Sequence, residues 1–326
     1  MDKITTTYIE IVNEKGLKII LSDLGAAIYA IYVNDVPMTL SPADLLDFEK
    51  PRTYHGKSIG RVAGRIKDGK FEINGKQYQV ELNEAGTKTL HGGFNGVSTK
   101  IFDYKTLELD DKTIVDFHYL SKDNEAGFPG ALDINVKYTI YHDELSIKIE
   151  FDAFASEDTL CKLTNHAYFC LGSHKIDELK LQLNCPSFIE VDNETLIPLR
   201  DVSVEERPCC DFREGKYIVQ DIENPYLKDS CTKGYDMHFN FEEIKTDVPQ
   251  IILSNNGYQM EITTNFQGTQ IYSDNFINEI PFLTNEIDHR RRGVAIEPQD
   301  SHLYDHILRK DEHYSRFIKY TFKVKN

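Results

Sequence analysis

Four short stretches carry the residues able to move protons: Leu90-His91-Gly92-Gly93, Thr164-Asn165-His166-Ala167-Tyr168-Phe169, Gly234-Tyr235-Asp236 and Ile296-Glu297-Pro298-Gln299. They bring two histidines and two carboxylates, with no evident nucleophile. Histidine is the side chain most easily poised to give or take a proton near neutral pH. Glu297 sits in an apolar run, Val294-Ala295-Ile296, where an unpaired carboxylate is costly and desolvation raises its pKa toward a useful base value. The set suits general acid–base work on a polyhydroxylated small molecule. Each residue also has an ordinary reading: His91 as a turn residue before two glycines, His166 as a strand histidine satisfied by a backbone carbonyl, Asp236 in an Asx-turn. Glu297 is the least comfortable as mere structure. Arg65, beside Gly64 in Arg61-Val62-Ala63-Gly64-Arg65-Ile66, can present a fork of donors to hydroxyls or a carboxylate.

The elements that must position these residues read as strands. Ala27 to Val33 and Lys18 to Leu21 flank Gly25, and Asn34-Asp35 makes a turn. Phe71 to Ile73 and Tyr78 to Leu82 alternate on either side of Asn74-Gly75, a strong hairpin signal. Leu132, Ile134, Val136, Tyr138 and Ile140 are answered by Leu145, Ile147, Ile149 and Phe151 across the turn His142-Asp143-Glu144. This period of two marks half-buried antiparallel strands with one wet face. The pattern returns at Leu179 to Leu183, at Ile251 to Leu253 with Tyr258 to Ile262, and at Phe317 to Val324. Pro42 to Phe48 is the one short helical candidate, and Thr195 to Tyr226 reads as a long irregular excursion over one end, a site wall. The predicted fold is all-β, a large antiparallel β-sandwich forming one domain over residues 1–326.

The 326 residues are 40% hydrophobic and carry a net charge of −16, which disfavours nonspecific binding to nucleic acid or an anionic membrane. No apolar run approaches a membrane helix, and the first residues lack the apolar core of a signal peptide. The six cysteines (Cys161, Cys170, Cys185, Cys209, Cys210 and Cys231) show no CxxC spacing, as expected of free thiols in the cytoplasm. Adjacent Cys209-Cys210 could be half of a metal site, but no second half with matching spacing is visible, so ordinary thiols are expected.

Taken in order, GRVAGRI, Asn83 followed by LHGG, TNHAYF, GYD, Thr269-Gln270-Ile271-Tyr272 and IEPQ resemble the galactose mutarotase (aldose 1-epimerase) family, from about Gly60 to Asp300. LHGG, NHxYF and ExQ together are specific. The resemblance implies the galactose mutarotase-like supersandwich, which agrees with the strand reading. By position it implies Glu297 as catalytic base and His166 as acid, with Arg65, His91, Asp236 and Gln270 holding the sugar. Tyr168, Tyr272 and Phe276 are candidates to pack on a sugar face. The implied reaction interconverts α and β anomers of a free aldohexose such as galactose or glucose, with Glu297 as anion beside His166 as imidazolium. It calls for no cofactor and no metal; the partner is a small-molecule sugar, and the protein is a monomer or homodimer. The sequence departs from the family at Gly64 and Cys170, where asparagine is usual or frequent. It also lacks a tryptophan after LHGG, for which Phe102 is the expected substitute.

Other readings stand beside this one. Arg290-Arg291-Arg292 could clamp the phosphate of a phosphorylated hexose, although a solvated loop is the expectation, and a disaccharide mutarotase is a further variant. A metal-dependent β-sandwich enzyme would need two histidines and a carboxylate together, and the wide scatter of His91, His166, Asp236 and Glu297 argues against it. A noncatalytic carbohydrate-binding module would not need both His166 and Glu297.

Overall fold

Alternating hydrophobicity at Leu132–Tyr141 and Ser146–Ala155 becomes the centre of a nine-stranded antiparallel sheet, with Val136 opposite Phe151 and Tyr138 opposite Ile149. The computed structural model describes residues 6–276, 280–284, 290–301 and 306–325. In spatial order the large sheet runs Asp103–Glu108, Lys112–Ser121, Leu132–Tyr141, Ser146–Ala155, His313–Val324, Tyr258–Thr264, Ile251–Ser254, Lys180–Leu183 and Lys216–Tyr217. A six-stranded antiparallel sheet is ordered Tyr168–Phe169, Val294–Gln299, Gly268–Tyr272, Asp236–Asn240, Ser187–Val191 and Pro198–Ser203. One apolar core joins them, drawing Tyr138, Phe151 and Tyr320 from the large sheet and Phe188, Phe239, Ile271 and Ile296 from the smaller. A four-stranded sheet, Tyr8–Val12, Leu17–Ser22, Ala27–Val33 and Val36–Pro37, adds Ile19, Leu21, Ile28 and Ile31 to the same core.

Local readings shift at their ends. The hairpin after Asn74-Gly75 pairs Lys70–Ile73 with Lys76–Gln79, ending before Val80 because Val80 N–H turns to Gly69 O at 2.8 Å and Glu81 N–H to Ala126 O at 3.2 Å. The helix is shorter than expected, Leu45–Phe48, since Asp44 caps it by accepting from Leu46 N–H and Ala43 N–H pairs with Pro281 O. The stretch expected to be irregular contains the edge strand Pro198–Ser203, so part of it extends the smaller sheet.

The smaller sheet positions the site. Val294–Gln299 is buried throughout; Val294 and Ile296 enter the core, so the pleat turns Ala295, Glu297 and Gln299 to the opposite face. The same alternation sends Ile271, Met237 and Phe239 inward and Gln270, Asp236 and His238 outward. Register then lines up Glu297, Gln270 and His238 in one row across three strands, with Ala295, Tyr272 and Asp236 in the next.

Candidate active site

A cavity of about 280 Å³ lies on that outer face. All six sequence-predicted residues, Arg65, His91, His166, Asp236, Gln270 and Glu297, line it. Its size lies just below the usual range of ligand pockets, ~300–1,000 Å³.

Glu297 is 2% exposed, and its Oε1 lies 3.4 Å from His166 Nε2. Oε2 of Glu297 and Nδ1 of His166 are buried with no hydrogen-bond partner among the described residues. His166 cannot drift: its N–H donates to Lys57 O and its carbonyl accepts from Gly56 N–H, both at 2.9 Å. Tyr168 and Tyr54 stack on its ring at centroid distances of 5.1 and 5.8 Å. Burial pushes the His166 imidazole down to about 4 and, reinforced by Asp236, holds the Glu297 carboxyl well above the usual carboxylate range. Burial therefore disfavours the charged form of both groups in the unliganded site. Burial opposes the imidazolium–carboxylate pair that the resemblance implies.

His91 sits after the strand Lys88–Leu90, paired with Arg65–Lys67. The chain turns here because Gly92 takes φ +85° with its Cα against Gly60 O; a Cβ would stand 1.9 Å from that oxygen. Gly64 N–H donates to His91 Nδ1 at 3.2 Å, which leaves the proton on Nε2. Burial, with His166 and Arg65 nearby, lowers the His91 pKa well below 6.5, so His91 is a neutral donor. Gly64 itself has φ +86°, a conformation that glycine and asparagine share most easily, so the departure from asparagine preserves the backbone.

Arg65 and Asp236 face each other at 3.9 Å, too long for a hydrogen bond. Gln270 Nε2 donates to Asp236 Oδ1 at 2.7 Å. Burial raises the Asp236 pKa, against Arg65 and Gln270, which lower it. Sequence reasoning missed Glu84, which grips Arg65 through Nε at 2.8 Å and Nη2 at 3.1 Å, with Lys88 at 3.5 Å behind it. Burial opposes the Arg65 charge, yet Asp236 and Glu84 together hold its pKa above the ordinary value. Tyr54 was missed too; it meets the edge of His91 at 4.8 Å. Neither carries a sequence signal, because both earn their place through contacts remote in the chain.

Tyr168, Tyr272 and Phe276 all line the cavity, and Phe276 is exposed there. Phe102 does not: it is buried in the main core against Tyr119, so it is no substitute for a cavity tryptophan. Leu196 and Pro198 form part of the wall, as expected of that excursion. Arg290 to Arg292 are absent from the cavity lining. Nor are they a solvated loop: Arg292 is buried with its guanidinium 4.1 Å from the Phe282 ring, Arg291 Nη2 donates to Lys233 O, and only Arg290 is exposed. Among the described residues, no three His, Cys, Asp or Glu side chains gather as a metal-ligand set.

The sequence model of the aldose 1-epimerase family matches residues 7–321. The chain belongs to the aldose 1-epimerase family. It is an isomerase of that family. The aldose 1-epimerase of Haemophilus influenzae is 31% identical over 299 residues, 88% of this chain and 84% of that protein. The galactose mutarotase of Sus scrofa is 28% identical over 94% of this chain and 92% of its own length. A crystal structure of an aldose epimerase homologue from C. elegans superposes with a TM-score of 0.87 at 30% identity, covering 99% of this chain and 100% of that one. The galactose mutarotase fold expected from the sequence is thus the fold observed. Among the described residues, no helix is long and apolar enough to cross a membrane.

Proposed function

We propose that this epimerase interconverts the anomers of a free aldohexose such as galactose or glucose, with Glu297 as base and His166 as acid. The observation that carries this reading is the pair of unpartnered buried atoms, Glu297 Oε2 and His166 Nδ1, in groups that already meet at 3.4 Å on the cavity wall. Buried polar atoms are nearly always satisfied, and strongly shifted acid and base groups lining a cleft mark a functional site.

The chemistry follows from one proton. A C1 hydroxyl donating to Glu297 and a ring oxygen accepting from His166 each stabilise the charged form of its partner, so binding draws the proton from carboxyl to imidazole. Glu297 removes the hydroxyl proton as His166 protonates the ring oxygen, and the C1–O5 bond opens to the aldehyde. Rotation about C1–C2 presents the other carbonyl face, and closure returns both protons. Such acid–base catalysis typically contributes ~10²–10⁴-fold. Arg65 and the Nε2–H of His91 donate to sugar oxygens, Asp236 and Gln270 fix hydroxyls, and Tyr168, Tyr272 and Phe276 offer apolar faces. The reading takes the protein to act as a single domain, monomer or homodimer, in the cytoplasm and without a cofactor.

Polarimetry on freshly dissolved pure anomers tests the reading. The optical rotation should relax faster with enzyme, equally from either anomer and with or without a chelator. Relaxation at the uncatalysed rate for every aldohexose, or loss on chelation restored by one metal, would sink it.

A further inference from the structure

On the far side of the Asp236 strand, three sulfur atoms meet. Cys209 Sγ lies 4.0 Å from Cys210 Sγ, and Cys210 Sγ lies 3.6 Å from Met237 Sδ. The two cysteines close the short turn Pro208–Cys210, while Met237 comes from the strand Asp236–Asn240, 27 residues on from Cys210. We propose that Cys209, Cys210 and Met237 form a binding site for a soft monovalent d¹⁰ cation, copper(I). Nothing in this inference depends on the sugar chemistry.

Thiolate and thioether sulfurs select soft ions of this kind over magnesium or calcium. Three sulfurs around an ion at ~2.3 Å stand ~4.0 Å apart, close to the Cys209–Cys210 separation of 4.0 Å and the Cys210–Met237 separation of 3.6 Å. The turn is fixed from behind: the Cys209 carbonyl accepts from Tyr235 Oη at 2.7 Å and from Lys216 Nζ at 2.8 Å. Lys216 is itself held in place by Asp221, its Nζ donating to Asp221 Oδ2 at 2.6 Å. Entry is available, because Cys209 borders a surface cavity of about 650 Å³. Binding forms two Cu–thiolate bonds and one Cu–thioether bond and releases two protons to the buffer. No electron is transferred.

The test is anaerobic titration of the full chain with copper(I), kept reduced by ascorbate, against a chromogenic copper(I) chelator. Cys231→Ser serves as the background, since Cys231 is the exposed cysteine. One equivalent should bind, more weakly as pH falls. Cys209→Ser/Cys210→Ser should lose it. Met237→Leu, a fold-preserving change, should weaken it by at least the ~10–100-fold that loss of an outer-sphere partner costs. X-ray absorption should show only sulfur neighbours at ~2.3 Å. Undiminished affinity in Met237→Leu, nitrogen or oxygen neighbours, or no retained equivalent would overturn the site.

Discussion

At the scale of single residues, the site separates groups that move protons from groups that hold the sugar. Asp236 belongs to the second class, so Asp236→Ala should raise KM as well as lower kcat; full activity across a range of sugar concentrations would remove its role. Glu84 acts at one remove, by fixing the Arg65 fork with two hydrogen bonds. Glu84→Gln keeps the shape and weakens the grip. KM should rise about tenfold or more, from the ~1.5–3 kcal/mol that a hydrogen bond to a charged group is worth, while the pH profile of kcat stays in place. An unchanged KM would mean that Arg65 is held by Asp236 alone. For the wild type, the one-proton pair predicts a plateau of kcat/KM through neutrality. Its acidic limb falls near pH 4, where the pair takes up a second proton, and its basic limb lies where the raised Glu297 proton is lost. Both limbs belong to the pair rather than to either residue. An acidic limb near 6.5 would place His166 in an ordinary, solvated environment.

At the scale of elements, the strand Val294–Gln299 and the turn after Leu90 do most of the positioning. Gly92→Ala would drive a Cβ against Gly60 O at a positive φ, so the His91 turn must move. The expected result is a lowered Tm and a raised KM together; a variant with wild-type Tm and KM would show that the turn has slack. Ile296→Ala, on the core face beneath Glu297, should cost about 2–5 kcal/mol in denaturant unfolding. The large sheet was legible in the sequence because Leu132 to Phe151 alternates cleanly, with one face wet. The smaller sheet was less so: Asp236–Asn240 and Gly268–Tyr272 carry polar site residues on the outer face, which blurs the alternation although both faces are largely buried. Types and order picked out six residues that all line the cavity. Glu84 and Tyr54 stayed hidden because only folding brings them to Arg65 and His91. Phe102 was misplaced since nothing in its local sequence distinguishes a cavity aromatic from a core one.

At the scale of the whole molecule, acid sensitivity follows from four buried histidines. Burial lowers His55 to about 3 and His166 to about 4, and it lowers His91 and His238 well below 6.5. Unfolded, each titrates near ~6.5. Between pH 6.5 and 4 the unfolded chain therefore binds more protons at these sites, and stability falls as pH falls, by ~1.4 kcal/mol per pH unit for each net proton. Glu297 and Asp236 pull the other way: their folded pKa values are raised, so they weaken the native state as pH rises above ~4. Four groups outweigh two. Tm should drop from pH 6.5 toward 4, with net proton uptake on unfolding at pH 5 in buffers of different ionisation heat. Proton release there would contradict the burial of these histidines.

The central claim, that a single proton passing between Glu297 and His166 opens and closes the sugar ring, is tested most directly by Glu297→Gln. Glutamine keeps the side-chain shape and the 2% exposed seat but cannot take the C1 hydroxyl proton. With circular dichroism and Tm showing a folded protein, polarimetric turnover should fall by ~10²–10⁴-fold while sugar binding by calorimetry stays within a few-fold of wild type. Near-normal turnover in that folded variant would contradict the account.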